Sequence, residues 1–217
     1  MQPTPPSTAR APGGLGVSIE NLALERGGWR LFEKLTLAIA PGAFVTLTGP
    51  NGSGKTSLLR ALAGLLQPAS GRIRLGDAAP EDAATQVHFL GHRDGLKAAL
   101  PAASHVRFWR DLLGGEGEPA RALEAVGLAR VADLPARTLS AGQSRRLALS
   151  RVLVAPRPLW LLDEPAAALD AAGKALLTRL VEDHVRTGGT VIAAVHEPLG
   201  APTQTVNVAD FAPGRGQ

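Results

Sequence analysis

Apolar residues fall along this chain in two patterns that take turns. "GAFVTLTG" (Gly42 to Gly49), "PLWLLDEP" (Pro158 to Pro165) and "GTVIAAVHEP" (Gly189 to Pro198) are strand-length and almost wholly apolar. Runs of that kind predict strands buried on both faces, as in a parallel sheet covered by helices. Helical spacing follows them. "KTSLLRALAGLL" sets Leu58, Leu59, Leu62, Leu65 and Leu66 on one stripe, and "GKALLTRLVEDHV" does so with Leu176, Leu177, Leu180 and Val181. Strand, loop and helix in recurring order predict an α/β sandwich. The opening stretch "VSIENLALERGGWRLFEKLTLAIAPG" instead alternates, which predicts a small antiparallel β layer ahead of the main sheet. From about Gly95 to Pro135 short helices and loops ("SHVRFWRDLLG", "PARALEAVGLA") replace the strands, predicting a helical insert in the α/β core.

The 217 residues suit one domain, which at this length buries roughly 70% of its unfolded surface. We assign a single domain to 15–217, with the helical insert over about 95–150, and a disordered Pro-rich tail to 1–14 ("MQPTPPSTARAPGG"). Cysteine is absent, so no disulfide staples the fold and no C-x-x-C-H haem attachment exists. No run approaches the roughly 18 apolar residues of a spanning helix. A formal charge of +4 fits an anionic partner such as a nucleotide, a nucleic acid or a membrane surface, or simply solubility. The basic residues are scattered, without the aromatic-interleaved stripe of a nucleic-acid binder.

"GPNGSGKT" fulfils G-x-x-x-x-G-K-[ST], the P-loop pattern, between an apolar strand and a Leu-striped helix. Gly49, Pro50, Asn51, Gly52, Ser53, Gly54, Lys55, Thr56 and Ser57 form the expected phosphate cradle, with backbone N–H groups and the helix dipole facing the anion. Lys55 is expected at the β- and γ-phosphates and the Thr56 hydroxyl on Mg²⁺. "LWLLDEP" ends a buried strand on Asp163, a second Mg²⁺ ligand, with Glu164 beside it as the group that polarises attacking water. In "LSAGQSRR", Ser140 and Gln143 form a capping box that opens the helix "QSRRLALSRVLV". Ser140, Gly142 and that helix end also make a second phosphate-binding surface.

"LSAGQ" resembles the "LSGGQ" signature of ATP-binding cassette (ABC) ATPases, with Ala141 in place of a glycine. The order of P-loop, signature, "LLDEP", "AALD" and a strand ending at His196 is similar to that family from about Val17 to Val208. The resemblance implies an α/β P-loop NTPase core with an antiparallel β layer and helical insert, ATP and Mg²⁺ as ligands, and ATP hydrolysis. It implies a head-to-tail homodimer in which Ser140, Gly142 and Gln143 of one copy meet the ATP held by Lys55 of the other. Asp170 would serve the loop that crosses this interface, and His196 would sense the γ-phosphate and orient Glu164. The family's adenine-stacking aromatic is missing; the matching place holds Arg26, close to Trp29, and a guanidinium plane can also stack.

The family's loop glutamine before the insert is replaced by His92 of "HFLGHRDG", so the resemblance implies His92 as a Mg²⁺-site residue at the start of a coupling loop. On a strand His88 shares its face but stands roughly 13 Å away, too far for joint ligation of a metal. "GH" before "GLK", together with "LSAGQSRR" and "HEPL", is similar to ATP-binding subunits of cytochrome c maturation systems. That likeness implies a peripheral place on the cytoplasmic face of the inner membrane. It also implies integral partners of the CcmB and CcmC kind, and a step in haem export or release of a haem-loaded chaperone. Export of a lipid or small molecule, or a soluble nucleic-acid-associated ATPase, are the alternatives. No direct haem site is evident, and His105 is expected on a helix surface. Phe108 and Trp109 are read either as contacts for a membrane partner or as core.

Overall fold

The computed structural model describes residues 14–77 and 83–214. Except for Gly14, the expected Pro-rich tail lies outside them. Strands β1 (Val17–Arg26), β2 (Trp29–Ile39) and β4 (Ser70–Leu75) form an antiparallel sheet in the order β2-β1-β4. Strands β3 (Phe44–Thr48), β5 (Val87–Leu90), β6 (Leu159–Asp163), β7 (Thr190–Ala194) and β8 (Gln204–Asn207) form a second, parallel sheet in the order β5-β6-β7-β3-β8. Helix α1 (Lys55–Leu62) follows β3; α2 (Ala102–Leu113), α3 (Pro119–Ala125), α4 (Ala141–Leu149) and α5 (Arg151–Val154) lie between β5 and β6; α6 (Ala171–Arg186) joins β6 to β7.

The apolar runs are strands because both faces find cover. Every residue of β6 and β7 is buried, and alternate side chains enter opposite cores. Leu159, Leu161, Ile192 and Ala194 join α1 and the antiparallel sheet, whereas Trp160, Leu162, Val191 and Ala193 join α6 and helices α2 to α5. This sandwich places the carboxyl ends of β3, β6 and β7 at one edge, where ligands of parallel α/β sheets bind.

The structure corrects several local expectations. α1 stops at Leu62, so Leu65 leaves the stripe and is exposed. The expected helix from Gln143 to Val154 starts at Ala141 and breaks at Ser150, whose hydroxyl donates to the Leu147 carbonyl. Strands β4 and β8 were not anticipated. His105 is buried rather than on a helix surface: the Lys97 N–H donates to its Nε2 (2.9 Å), and its Nδ1 donates to the Pro101 carbonyl (3.0 Å). Trp109 is core, under the Arg151 guanidinium, while Phe108 is 57% exposed.

Two histidines support the sheet from its amino-terminal side. His88 is buried and its Nε2 donates to the Ala155 carbonyl (2.6 Å); His184 stacks on Trp160 at 3.8 Å. Gly189 lies so close to the His184 ring that a Cβ there would sit 2.2 Å from it. Burial, and for His88 the nearby Arg151 and Arg157 charges, lower these imidazoles from 6.5 to about 3 and about 4. Between those values and 6.5 the unfolded chain holds more protons than the folded one, so folding stability falls as pH falls through that window. Lowering the pH from about 7 to 5 should cost about 2 kcal/mol through His88 alone, with His184 adding to it. Urea titrations at the two pH values check this; equal stabilities would contradict it.

Candidate nucleotide site

The loop between β3 and α1 turns through positive-φ backbone that glycine adopts without strain: Gly49, Gly52 and Gly54 have φ of 129°, 80° and 100°. Gly54 caps α1, and a Cβ there would meet the Phe32 ring at 2.9 Å, so the β layer and the loop fit only with glycine. The Lys55 ammonium lies inside this loop, donating to the carbonyls of Gly49 (2.7 Å) and Pro50 (3.1 Å). Ser53 Oγ is buried within it and has no hydrogen-bond partner.

At the carboxyl end of β6, the Thr56 hydroxyl donates to Asp163 Oδ1 (2.9 Å). Two hard oxygen donors thus meet beside a phosphate-sized loop, a donor set suited to Mg²⁺. The orphaned Ser53 hydroxyl likewise fits a phosphate. Glu164 follows in left-handed backbone (φ 47°), its N–H donating to the Ala194 carbonyl (3.0 Å). Its Oε1 accepts from Nε2 of His196 at 3.0 Å. Glu164 and His196, expected as base and orienting group from separate stretches of sequence, therefore stand in contact.

One cleft is lined by Arg26, Leu31, Asn51 to Ser57 and Glu164. Arg26 stands in it as expected, while Trp29, its partner across the hairpin, points away and is 79% exposed. Ser140, Gly142 and Gln143 do not line the cleft. Ser140 Oγ accepts from the Gln143 N–H (3.1 Å), and Gln143 Oε1 accepts from the Ser140 N–H (2.9 Å), completing the predicted box at the start of α4. Asp170 caps α6 by accepting from the Gly173 N–H (2.8 Å), a helix-starting role that sequence reading did not include. His92 is exposed on the loop after β5 and is not part of the cleft lining.

Sequence reading missed Arg145. It is buried in α4 and donates to five acceptors around the Asp163–Glu164 turn and the His92 loop. The available signal was its place two residues past the capping box, on the face of α4 opposite the exposed Ser140 end.

Residues 32–167 match the ABC transporter family model. This chain belongs to the ABC transporter family. It is an ABC-type ATPase, and its similarity to curated proteins runs almost end to end. It is 48% identical over 198 residues to a cytochrome c biogenesis ATP-binding export protein CcmA of Rhodopseudomonas palustris, covering 90% of this chain and 99% of that protein. The CcmA protein of Agrobacterium fabrum is 43% identical over 207 residues, covering 91% of this chain and 97% of its own. Among solved structures, an ABC transporter ATP-binding protein from Pyrococcus furiosus superposes with a TM-score of 0.80 at 22% identity, covering 91% of this ATPase and 99% of that chain. That match carries the fold alone. Among the described residues no helix is long and apolar enough to cross a membrane.

Proposed function

We propose that this ATPase powers a membrane ABC complex of c-type cytochrome biogenesis, handling haem or a haem-loaded chaperone. The observation that carries the proposal is the near-complete overlap with relatives named for that task. Two copies sit on the cytoplasmic face of the inner membrane against integral subunits of the CcmB kind, with CcmC-like subunits nearby.

Each site works through the residues already placed. Loop amides from Asn51 to Ser57 and the Ser53 hydroxyl hold the phosphates, Lys55 turns from its loop carbonyls to the β- and γ-oxygens, and Arg26 stacks on the adenine. Thr56 and Asp163 would hold Mg²⁺, which when bound would supply charge neutralisation at the phosphates. Glu164 takes the proton of the attacking water, and His196 fixes the carboxylate through its Nε2–H and reaches the γ-phosphate. Ser140, Gly142 and Gln143 close the site from the second copy, with Asp170 at the crossing loop and His92 linking the site to the helices that face the membrane.

Affinity purification of the full chain from detergent-solubilised membranes tests the assignment. Integral subunits of cytochrome c assembly should accompany it. Recovery with the integral subunits of another exporter would overturn the biogenesis role and leave the ATPase intact.

A further inference from the structure

Arg145 uses all five of its N–H donors. Nε donates to the Pro165 carbonyl (3.2 Å), Nη1 to the Gly91 carbonyl (2.8 Å) and Asp94 Oδ1 (3.0 Å), and Nη2 to the carbonyls of Asp163 (2.9 Å) and Glu164 (3.0 Å). The side chain is 5% exposed and that of Asp94 23%, so little water shields their ion pair. A buried cation is tolerated only when it is paired and fully hydrogen-bonded, and here that condition ties three segments together. They are α4, whose first turn carries Ser140; the loop from Gly91 to Asp94, which carries His92; and the turn that carries Asp163 and Glu164.

The Glu164 turn needs such a clamp. A non-glycine residue at φ 47° is strained and persists only where its surroundings over-determine it. The backbone of Glu164 has three such partners: the Ala194 carbonyl accepts from its N–H, and its carbonyl accepts from the Ala167 N–H (3.1 Å) and from Arg145, the one side chain among them. The carboxylate itself makes one side-chain contact, with His196, so its direction is set by that contact and by the backbone that carries it.

We propose that Arg145 is a positioning residue for hydrolysis, transmitting the state of the Asp94 loop to the Glu164 carboxylate. A shift of the loop pulls on Nη1, the planar guanidinium turns as one body, and Nη2 moves the Glu164 carbonyl. The inference rests on Glu164 being the base. Arg145→Lys keeps the charge and loses the planar five-donor fork, so it tests geometry rather than electrostatics.

The test is ATP affinity and kcat on the full chain, assembled with its integral subunits, for Arg145→Lys, Asp94→Asn, Glu164→Gln and their pairwise combinations. Arg145→Lys should lower kcat about tenfold or more while ATP affinity changes less than about threefold. Asp94→Asn should lower kcat several-fold, about as much in wild type as the ion pair contributes, and add almost nothing once Arg145 is lysine. In the Glu164→Gln background, Arg145→Lys should change the residual rate less than about twofold. An unchanged kcat in either single variant, a loss confined to ATP affinity, or fully additive losses would overturn the inference. Asp94→Asn leaves the buried guanidinium in place, so it decides the matter if Arg145→Lys folds poorly. Substantial turnover by Glu164→Gln would instead remove the base assignment, whereas an inactive Glu164→Gln beside a normal Arg145→Lys removes only the coupling.

Discussion

Glu164→Gln should bind ATP as tightly as the wild-type chain and turn it over at least about a hundredfold more slowly, since a lost general base costs roughly 10²–10⁴ in rate. The substitution preserves size and leaves the left-handed turn intact, because that turn is held through main-chain atoms by Ala194 and Arg145. The His196 Nε2–H still finds an oxygen on the amide. Only the capacity to take a proton is gone. Asp163 cannot replace it, being buried and engaged by the Thr56 hydroxyl. If two copies pair around ATP as proposed, stopping hydrolysis should prolong that pairing, and gel filtration with ATP should show more dimer for Glu164→Gln than for wild type. Phosphate release measured on the same preparation completes the test; wild-type rates would show that another group accepts the proton.

The chemistry was legible in this sequence because it is written in contiguous stretches. A phosphate loop needs its glycines within six residues, and a strand ending in an acid needs only one apolar run, so Gly49 to Thr56 and Asp163–Glu164 stand out without alignment. The two buried parallel strands β6 and β7 stand out for the same reason. β4 and β8 did not. "SGRIRL" is mostly exposed and finds its place only by pairing with β1, while "QTVN" is held by β3, and neither pairing is encoded locally. The histidines show the converse failure. His88, His105 and His184 have polar side chains in apolar surroundings, and each is kept by a hydrogen bond or a stacking partner far away in sequence or by a neighbouring turn. Arg145 is the extreme case: from sequence it is one of several arginines, and its five acceptors come from segments 18 to 54 residues away.

A shared site makes a second, equally large prediction. Ser140 caps the exposed start of α4, and neither it nor Gly142 lines the cleft that holds Lys55 and Glu164; in the proposed head-to-tail dimer the partner copy supplies the surface that completes the site. Lys55→Ala removes the cation from the phosphate loop. Ser140→Asp sets a carboxylate where the partner's γ-phosphate would approach, and aspartate caps a helix start about as well as serine, so the chain should still fold. Each variant alone should be almost inactive. Mixed one to one, half the dimers are heterodimers, and in each of these one site combines both lesions while the other combines an intact loop with an intact signature. Activity should therefore recover to roughly one quarter of wild type, for random pairing and independent sites. Steady-state phosphate release from the mixture measures this. A mixture as inactive as its two components would mean that each chain closes its own site, and the separation of Ser140 from Lys55 would then have to be bridged by movement within a single copy.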